Sequence, residues 1–272
     1  MQQDCLVSVV LPTHNRAQYL GKAVKSVLSQ TYKNIELIIV NDASTDGTSG
    51  ILPGFSKEDE RVIIVTNHVN LGYERSLNKG VEGARGKYIA RIDDDDSWSD
   101  PQKLEKQVEF LENNKDHVLV GGGAIWIDKG GKEIFKYILP QEDEEIRKKI
   151  LLNNCFVHSS VVFRKEDWKK AGKYDEKLTY CDWALWLELG KFGKLYNFPE
   201  CFVHYLKWEN NMTNFNIREN LKEEIIIRRK YQRYYPGYFK AFLFGHTYYL
   251  FSFLPFQTSL KPILAKIKKI FF

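Results

Sequence analysis

Four consecutive aspartates, at positions 93 to 96, directly follow a short β-prone segment at residues 88–92. Two like charges roughly 4 Å apart repel each other by on the order of 4 kcal/mol at an effective dielectric constant of about 20. Carboxylates crowded in this way favour a divalent cation, because Mg²⁺ and Mn²⁺ take oxygen ligands and commonly share them with a phosphate. A solvated acidic turn ahead of a helix that begins at Pro101 would also account for the run, so other parts of the chain must decide.

Alternating strands and helices precede the acidic run and are expected to position it. Apolar runs predict strands at residues 7–11, 35–40, 61–66 and 87–92, and apolar residues at helical spacing predict helices at residues 19–28 and 77–84. This alternation is typical of right-handed βαβ crossovers, so we expect an α/β protein with a mostly parallel sheet.

Polar residues follow three of these predicted strands: residues 13–16, the pair Asn41 and Asp42, and the aspartate run. Ligands of open α/β sheets bind beyond the carboxyl ends of the strands, so the three groups are expected to share one site. The chain has no GxxxxGK[ST] loop and no GxGxxG after a strand, so a nucleotide would bind without a glycine-rich phosphate loop. Asp42 is placed to accept hydrogen bonds from a base or ribose, although a turn or helix-cap role fits it equally.

The second half of the sequence has a mixed α+β pattern. We predict helices at residues 101–114 and 142–152, antiparallel strands at 118–127 and 132–139 around a glycine turn, and a further strand at 156–164.

Composition excludes several classes of protein. The 272 residues are enough for a sizeable core, and a 43% hydrophobic, 28% charged composition indicates a globular rather than a disordered chain. Four scattered cysteines without a CxxC pair argue against a zinc site or a disulfide framework, so we expect free thiols in a reducing cytoplasm. The N-terminus lacks the basic and apolar segments of a signal peptide.

Positive charge is concentrated at the C-terminal end. Residues 225–272 contain nine Lys or Arg and no Asp or Glu, so a net charge of +5 leaves −4 for the first 224 residues. We predict a catalytic domain at residues 1–215 and a basic, aromatic, helical tail at 216–272. The tail is too interrupted to span a bilayer, but residues 261–272 alternate lysines with apolar residues as interfacial helices do. We therefore expect peripheral attachment to an anionic membrane, with packing on the domain or on a second subunit as the alternative; nucleic acid is disfavoured because no recognition module accompanies the charge.

Five segments, taken together in this order and spacing, carry a family resemblance. They are residues 7–16, residues 38–48, residues 70–72, residues 86–90 and residues 93–96. In these segments the chain resembles the family 2 glycosyltransferases of the GT-A fold, of the type that builds bacterial surface polysaccharides, over roughly residues 5–210. The resemblance implies a Rossmann-like nucleotide-sugar half at residues 1–100 and an acceptor half at residues 101–215.

The resemblance also implies site residues for the donor. Those lining the nucleotide-sugar pocket would be Pro12, Thr13, Asn15, Arg16, Asn70 and Gly72, with Asp42 reading the base, most often uracil. The aspartate run matches the family's Asp-x-Asp motif: Asp95 and Asp93 would hold Mn²⁺ or Mg²⁺, and Asp93 or Asp94 would contact the ribose.

A general base is expected much later in the chain, at Asp182, which precedes an aromatic helix at residues 183–189. Family members usually carry Glu-Asp there, and Cys181 replaces the Glu. As an alternative, Asp182 could serve as the N-cap of that helix.

Three further residues are candidates for the acceptor side or for a lid over the diphosphate: His158, Trp183 and Lys207. His158 could equally be a satisfied core group. Trp183 and Trp186 fit either the core or a wall on which a sugar stacks.

Together these features imply a metal-dependent, inverting transfer of a sugar from a nucleoside diphosphate sugar, UDP being favoured, to a glycan or lipid-linked glycan hydroxyl. The enzyme is expected to lie in the cytoplasm at the inner face of the membrane, and association into a homo-oligomer would be compatible with it. A degenerate sugar-nucleotide binding or adaptor module is the main alternative, because of Cys181. A nucleotidyltransferase is less well supported, because no glycine- and lysine-rich triphosphate loop follows the first strand.

Overall fold

A computed structural model describes residues 5–206 and 217–253 of the protein, and a nine-stranded mixed sheet forms its centre. The strands are β1 (Val7–Thr13), β2 (Ile35–Asp42), β3 (Val62–Asn67), β4 (Tyr88–Arg91), β5 (Ser97–Trp98), β6 (His117–Ile127), β7 (Glu133–Tyr137), β8 (Val162–Arg164) and β9 (Lys194–Leu206). The helices are α1 (Ala17–Leu28), α2 (Thr48–Glu58), α3 (Tyr73–Gly83), α4 (Lys103–Asn113), α5 (Asp143–Lys149), α6 (Lys165–Lys170), α7 (Cys181–Leu189), α8 (Ile217–Tyr231) and α9 (Tyr238–Phe251). The strand order is β3-β2-β1-β4-β8-β6-β9-β5, and β7 pairs with β6.

The first four strands form the parallel half of the sheet, as the sequence predicts. Every residue of β1 and β2 is buried, because helices cover both faces of these strands. Along β1, Val9 packs with α1 on one face, whereas Val10 packs with α3 on the other. Because side chains on both faces of the sheet are buried, these strands appear in the sequence as unbroken apolar runs.

Helix α3 lies unusually close to β1. A Cβ atom added to Gly80 would lie 2.5 Å from a methyl carbon of Val10, so only glycine fits at this crossing. The close approach brings the N-terminal end of α3, at Tyr73, to the carboxyl edge of the parallel strands.

The other half of the sheet is mixed. Strand β8 pairs antiparallel with both β4 and β6, and β9 pairs parallel with β6 and antiparallel with β5. The predicted β6–β7 hairpin is confirmed.

The prediction of one strand over residues 156–164 is wrong. Residues His158–Ser160 form a 3₁₀ turn, and only Val162–Arg164 is a strand. The Ser160 hydroxyl donates to the Val157 carbonyl at 2.7 Å, which closes the turn in place of a strand ladder. Sequence reasoning also missed β9, the longest strand of the sheet, whose apolar pattern is interrupted by Asn197 and Pro199.

The beginning of the predicted tail is part of the fold. Helix α8 contributes Ile227 and Tyr231 to a hydrophobic core that also contains Trp186. The buried Arg228 guanidinium donates to the carbonyls of Leu151 and Leu152 at 3.0 and 3.2 Å. The domain boundary at residue 216 stays a prediction, and residues 261–272 and Lys207 lie outside the described residues. Among the helices of residues 5–206 and 217–253, none is long and apolar enough to cross a membrane.

Candidate active site

A cleft of about 600 Å³ opens at the carboxyl ends of β1, β2 and β4. Its lining includes most of the residues predicted from the sequence: Pro12, Thr13, Arg16, Asp42, Asn70, Gly72, Asp93, Asp94, Asp95, His158 and Asp182. The cleft therefore joins the three polar groups that follow the parallel strands with residues from the second half of the chain.

The carboxylate of Asp42 also makes hydrogen bonds within the protein. Its carboxylate accepts hydrogen bonds from the backbone N–H groups of Leu71 and Gly72, at 2.8 and 2.9 Å, and from Asn67 Nδ2 at 2.8 Å. A carboxylate offers about four acceptor sites, so these bonds leave capacity for one more donor. Asp42 thus holds the turn that carries Asn70 while still lining the cleft.

Asn15 lies outside the cleft lining. Its backbone adopts a positive φ of 56°, which asparagine tolerates better than most residues, and its side-chain oxygen accepts a hydrogen bond from Thr45 N–H at 2.8 Å. Asn15 braces the turn after β2, and its neighbour His14 faces the cleft instead, with Nδ1 lying 2.6 Å from the Asp42 carbonyl.

Asp93 is neutralised by the protein itself. It pairs with the guanidinium of Arg91, a side chain only 1% exposed, and it also accepts a hydrogen bond from the hydroxyl of Tyr73 at 2.9 Å. These partners leave Asp93 less suited to a metal than the sequence suggests.

The other three aspartates differ in environment. Asp96 is buried, accepts a hydrogen bond from Ser159 and lies outside the cleft lining. Burial and the neighbouring charges of Asp93 and Asp95 raise its pKa well above the usual value. Burial and Asp95 also raise the pKa of Asp94, to about 7, while Arg16 lies 3.9 Å away. Negative charge is therefore crowded at Asp94 and Asp95.

The described residues contain no group of three or more His, Cys, Asp or Glu arranged to hold a metal ion without help. Mg²⁺ commonly binds through one or two carboxylates together with waters and substrate phosphates, so this donor set still fits a metal that arrives with a diphosphate. The crowding of Asp94 beside Asp95 supports that fit, because a cation would relieve it.

Asp182 lies on the wall contributed by the second half of the chain. It is the second residue of α7, whose N-cap is Tyr180, so the alternative N-cap role is wrong. Asn154 Nδ2 donates to its carboxylate at 2.7 Å. Burial raises the pKa of Asp182 to about 6, which suits a group that must accept a proton near neutral pH.

A residue on α8 fixes the loop that leads to Asp182. The carboxylate of Glu223 accepts hydrogen bonds from the backbone N–H groups of Thr179 and Tyr180, both of which line the cleft. Sequence reasoning did not identify Glu223, because nothing near it in the chain marks its partner.

The thiol of Cys181 cannot supply the negative charge of a glutamate carboxylate. The thiol lines the cleft but is almost fully buried, and burial together with Asp182 raises its pKa well above the usual value. It therefore remains protonated and uncharged beside Asp182 at neutral pH.

His158 and Trp183 have different environments. His158 lines the cleft between two tyrosine hydroxyls, with Nδ1 lying 3.3 Å from Tyr73 and Nε2 lying 3.2 Å from Tyr174. Burial and the charge of Arg91 lower its pKa well below the usual value, so the imidazole is neutral. Trp183 lies in the core and donates to the Ile150 carbonyl at 2.7 Å, so a sugar-stacking role is not supported.

Several cleft residues were not singled out as candidates from the sequence, namely Tyr73, Asn154, Tyr180 and Tyr205, whereas His14 belongs to the predicted polar group at residues 13–16. Tyr73 directly follows the 70–72 motif, and that adjacency was the one available signal. The others have no local pattern that separates them from ordinary core or loop residues.

The model of the family described as Glycosyl transferase family 2 matches residues 8–170, a range that includes the aspartate run and ends before Asp182. The chain is 33% identical over 229 residues to the putative teichuronic acid biosynthesis glycosyltransferase TuaG of Bacillus subtilis. The aligned residues cover 84% of this chain and 89% of TuaG.

Two solved structures share the fold. The mannosyltransferase PcManGT from Pyrobaculum calidifontis, in complex with GDP-Man and Mn²⁺, has a TM-score of 0.66 at 17% identity, over 89% of this chain and 69% of that chain. TarS of S. aureus in complex with UDP-GlcNAc has a TM-score of 0.66 at 15% identity, over 97% of this chain and 80% of that chain. These similarities confirm the predicted GT-A fold.

Proposed function

Because the chain belongs to glycosyltransferase family 2, we propose that it transfers a sugar, with inversion, from a nucleoside diphosphate sugar to a hydroxyl of a glycan or lipid-linked glycan. The observation that carries this proposal is the pairing of two carboxylate walls across one cleft. One wall is the acidic edge at Asp94 and Asp95, and the other is Asp182, with a pKa of about 6.

The donor would lie along the wall built by the parallel strands. PcManGT is described with GDP-Man and TarS with UDP-GlcNAc, which supports a nucleoside diphosphate sugar as the donor class, and we propose a UDP-sugar. Thr13 and Asp42 would face the nucleoside, and Arg16 is the cation of this wall that would face the diphosphate. A bound Mn²⁺ or Mg²⁺ would be held by Asp95 and would neutralise charge on the leaving diphosphate.

Asp182 would act on the acceptor. In a single displacement, its carboxylate removes the proton of the acceptor hydroxyl while that oxygen attacks the anomeric carbon from the face opposite the diphosphate. The C–O bond to the diphosphate breaks as the new glycosidic bond forms, so the anomeric configuration inverts. The hydrogen bond from Asn154 holds the carboxylate in place, and a carboxylate has about four acceptor sites, so capacity remains for the hydroxyl.

The name of TuaG supports a surface polysaccharide as the acceptor class. The competing function is that of a sugar-nucleotide binding or adaptor module, favoured by the protonated Cys181 beside Asp182. Donor hydrolysis separates the two, because an adaptor would bind the donor without cleaving it.

We also propose that the protein is cytoplasmic and docks on the inner face of an anionic membrane. Helix α9 supports this proposal, because its solvent-facing side carries Phe239, which is 74% exposed, together with Leu243 and Leu250, and the exposed Phe253 follows the helix. Lys240 lies on the same helix, and a basic apolar surface of this kind suits an anionic bilayer. Covering of this face by a second copy of the chain is the competing outcome.

The enzymatic proposal is tested by incubating the full chain with a panel of UDP- and GDP-sugars and Mn²⁺, with and without EDTA. We expect release of the nucleoside diphosphate from at least one donor, abolished by EDTA. If a donor protects the protein against thermal unfolding but none is cleaved, with or without glycan acceptors, the adaptor function is correct instead.

A further inference from the structure

Three aromatic side chains form one row across strands β9, β6 and β7. Trp126 is the register partner of Tyr205 on one side and of Phe135 on the other. The ring centroids lie 5.2 Å apart between Tyr205 and Trp126, and 4.7 Å apart between Trp126 and Phe135. Register partners point to the same face of a sheet, so the rings make a continuous strip, here called the aromatic row.

The aromatic row begins in the cleft and ends at the surface. Tyr205 lines the cleft together with Asp95 and Asp182. Its strand, β9, also pairs with β5, the short strand that follows the acidic edge. At the other end, Phe135 is 41% exposed on β7, which pairs with β6 outside the main strand order.

The exposed end of the row suits the face of a sugar ring. One face of a pyranose presents mainly C–H groups, whose hydrogens carry partial positive charge, and the π face of an aromatic ring is negative. The ring planes are only 33° and 35° apart at centroid distances of 5.2 and 4.7 Å, so neighbouring rings stack on one another, and the outer face of Phe135, which is 41% exposed, is the face that a sugar can contact. The three side chains of the row are uncharged, so the row suits the neutral part of an acceptor better than the diphosphate of a donor.

We infer that the aromatic row is an acceptor subsite, which binds the sugars next to the one whose hydroxyl reacts at Asp182. This inference rests on the proposed glycosyl transfer, since an acceptor that is a glycan must leave the cleft along some surface. It assigns that path to the row and predicts that the protein prefers an oligosaccharide to a monosaccharide.

The test uses Phe135→Ala in the full chain. Binding is measured by titration calorimetry with cellotetraose, chitotetraose, maltotetraose and mannotetraose, and with the corresponding monosaccharides. We expect at least one tetrasaccharide to bind about tenfold more tightly than its monosaccharide, and Phe135→Ala to remove most of this difference.

Two variants on the same strand serve as controls. Phe135→Tyr keeps the ring and should retain binding within about twofold. Ile134→Ala removes an exposed apolar side chain that is not part of the aromatic row, and it should have no effect. Equal affinity for every tetrasaccharide and its monosaccharide, or full binding by Phe135→Ala, would overturn the inference. Donor hydrolysis is measured in parallel: if it is absent while binding depends on Phe135, the proposed transfer fails and the subsite stands.

Discussion

The two walls of the cleft hold their carboxylates by different means. On the proposed donor wall, which the parallel strands build, Asp93 is paired with the buried guanidinium of Arg91, the last residue of the preceding strand. On the acceptor wall, Asp182 is held by the neutral amide of Asn154, and its loop is held by Glu223 from α8. The difference teaches that the carboxylate on the proposed donor wall is compensated by a paired cation, whereas Asp182, which we propose takes the proton, has neutral hydrogen-bond donors and a raised pKa of about 6.

Among the residues that would support the reaction without taking the proton, the largest change is expected at the acidic edge. Asp95→Ala would remove the carboxylate that we propose for the metal, and metal-dependent turnover should fall by roughly 10²–10³-fold. The measurement is nucleoside diphosphate release as a function of Mn²⁺ concentration. Glu144→Gln, on an exposed helix position, is the matched control and should be unchanged. Normal turnover in Asp95→Ala would show that Asp95 does not hold the metal.

Loss of the cation that pairs with Asp93 should lower the free energy of unfolding. Arg91→Met would leave Asp93 without its cation, and breaking a buried pair costs about 3–5 kcal/mol. We expect a value near the lower end, because the Asp93 side chain is still 28% exposed. The loss of unfolding free energy is measured by urea denaturation. Arg75→Met, which breaks an exposed pair with Glu176, should cost under about 1 kcal/mol, and equal costs for the two variants would contradict the account.

On the acceptor wall, the brace from α8 should affect rate more than donor binding. Glu223→Ala would free the backbone groups of Thr179 and Tyr180 and loosen the loop before Asp182. We expect kcat to fall roughly tenfold, with the donor dissociation constant unchanged. Glu219→Ala removes an exposed carboxylate from the same helix and provides the comparison. A weakened donor affinity in Glu223→Ala alone would mean that α8 supports the donor wall instead.

The smallest expected effect is a shift in the pH profile. Asp182 must be ionised to accept a proton, so kcat should fall as pH drops below about 6. The Asn154 hydrogen bond favours the ionised form, so Asn154→Ala should raise the pKa of Asp182 and move this limb to higher pH, by roughly half a unit. Asn153→Ala is the neighbouring control. If the acidic limb of the kcat profile of Asn154→Ala stays in place, or moves to lower pH, this limb does not report the titration of Asp182.

The same contrast explains how far the sequence could be interpreted. The parallel strands carry unbroken apolar runs and end in polar motifs, so β1 to β4 and the positions of Asp42 and Asp93 follow from local pattern. Arg91 looks like an ordinary polar residue of a strand, and only the fold shows that it is buried under Asp93.

The acceptor half could not be predicted to the same depth. The 3₁₀ turn at His158–Ser160 places the Ser159 hydroxyl in a hydrogen bond with Asp96, more than sixty residues earlier in the chain. Strand β9 and the Glu223 brace likewise depend on partners distant in the chain. Long-range contacts of this kind leave no periodic signal, so Asp182 was found through a family resemblance and not through its surroundings.

The separation of roles between the two walls is tested most directly by Asp182→Asn. The amide keeps the shape of the side chain but cannot accept the proton, so kcat should fall by about 10²–10⁴-fold while the donor dissociation constant, measured by titration calorimetry with the cleaved donor and Mn²⁺, stays within about twofold. Full turnover by Asp182→Asn, or a loss of donor binding that matches the loss of turnover, would contradict it.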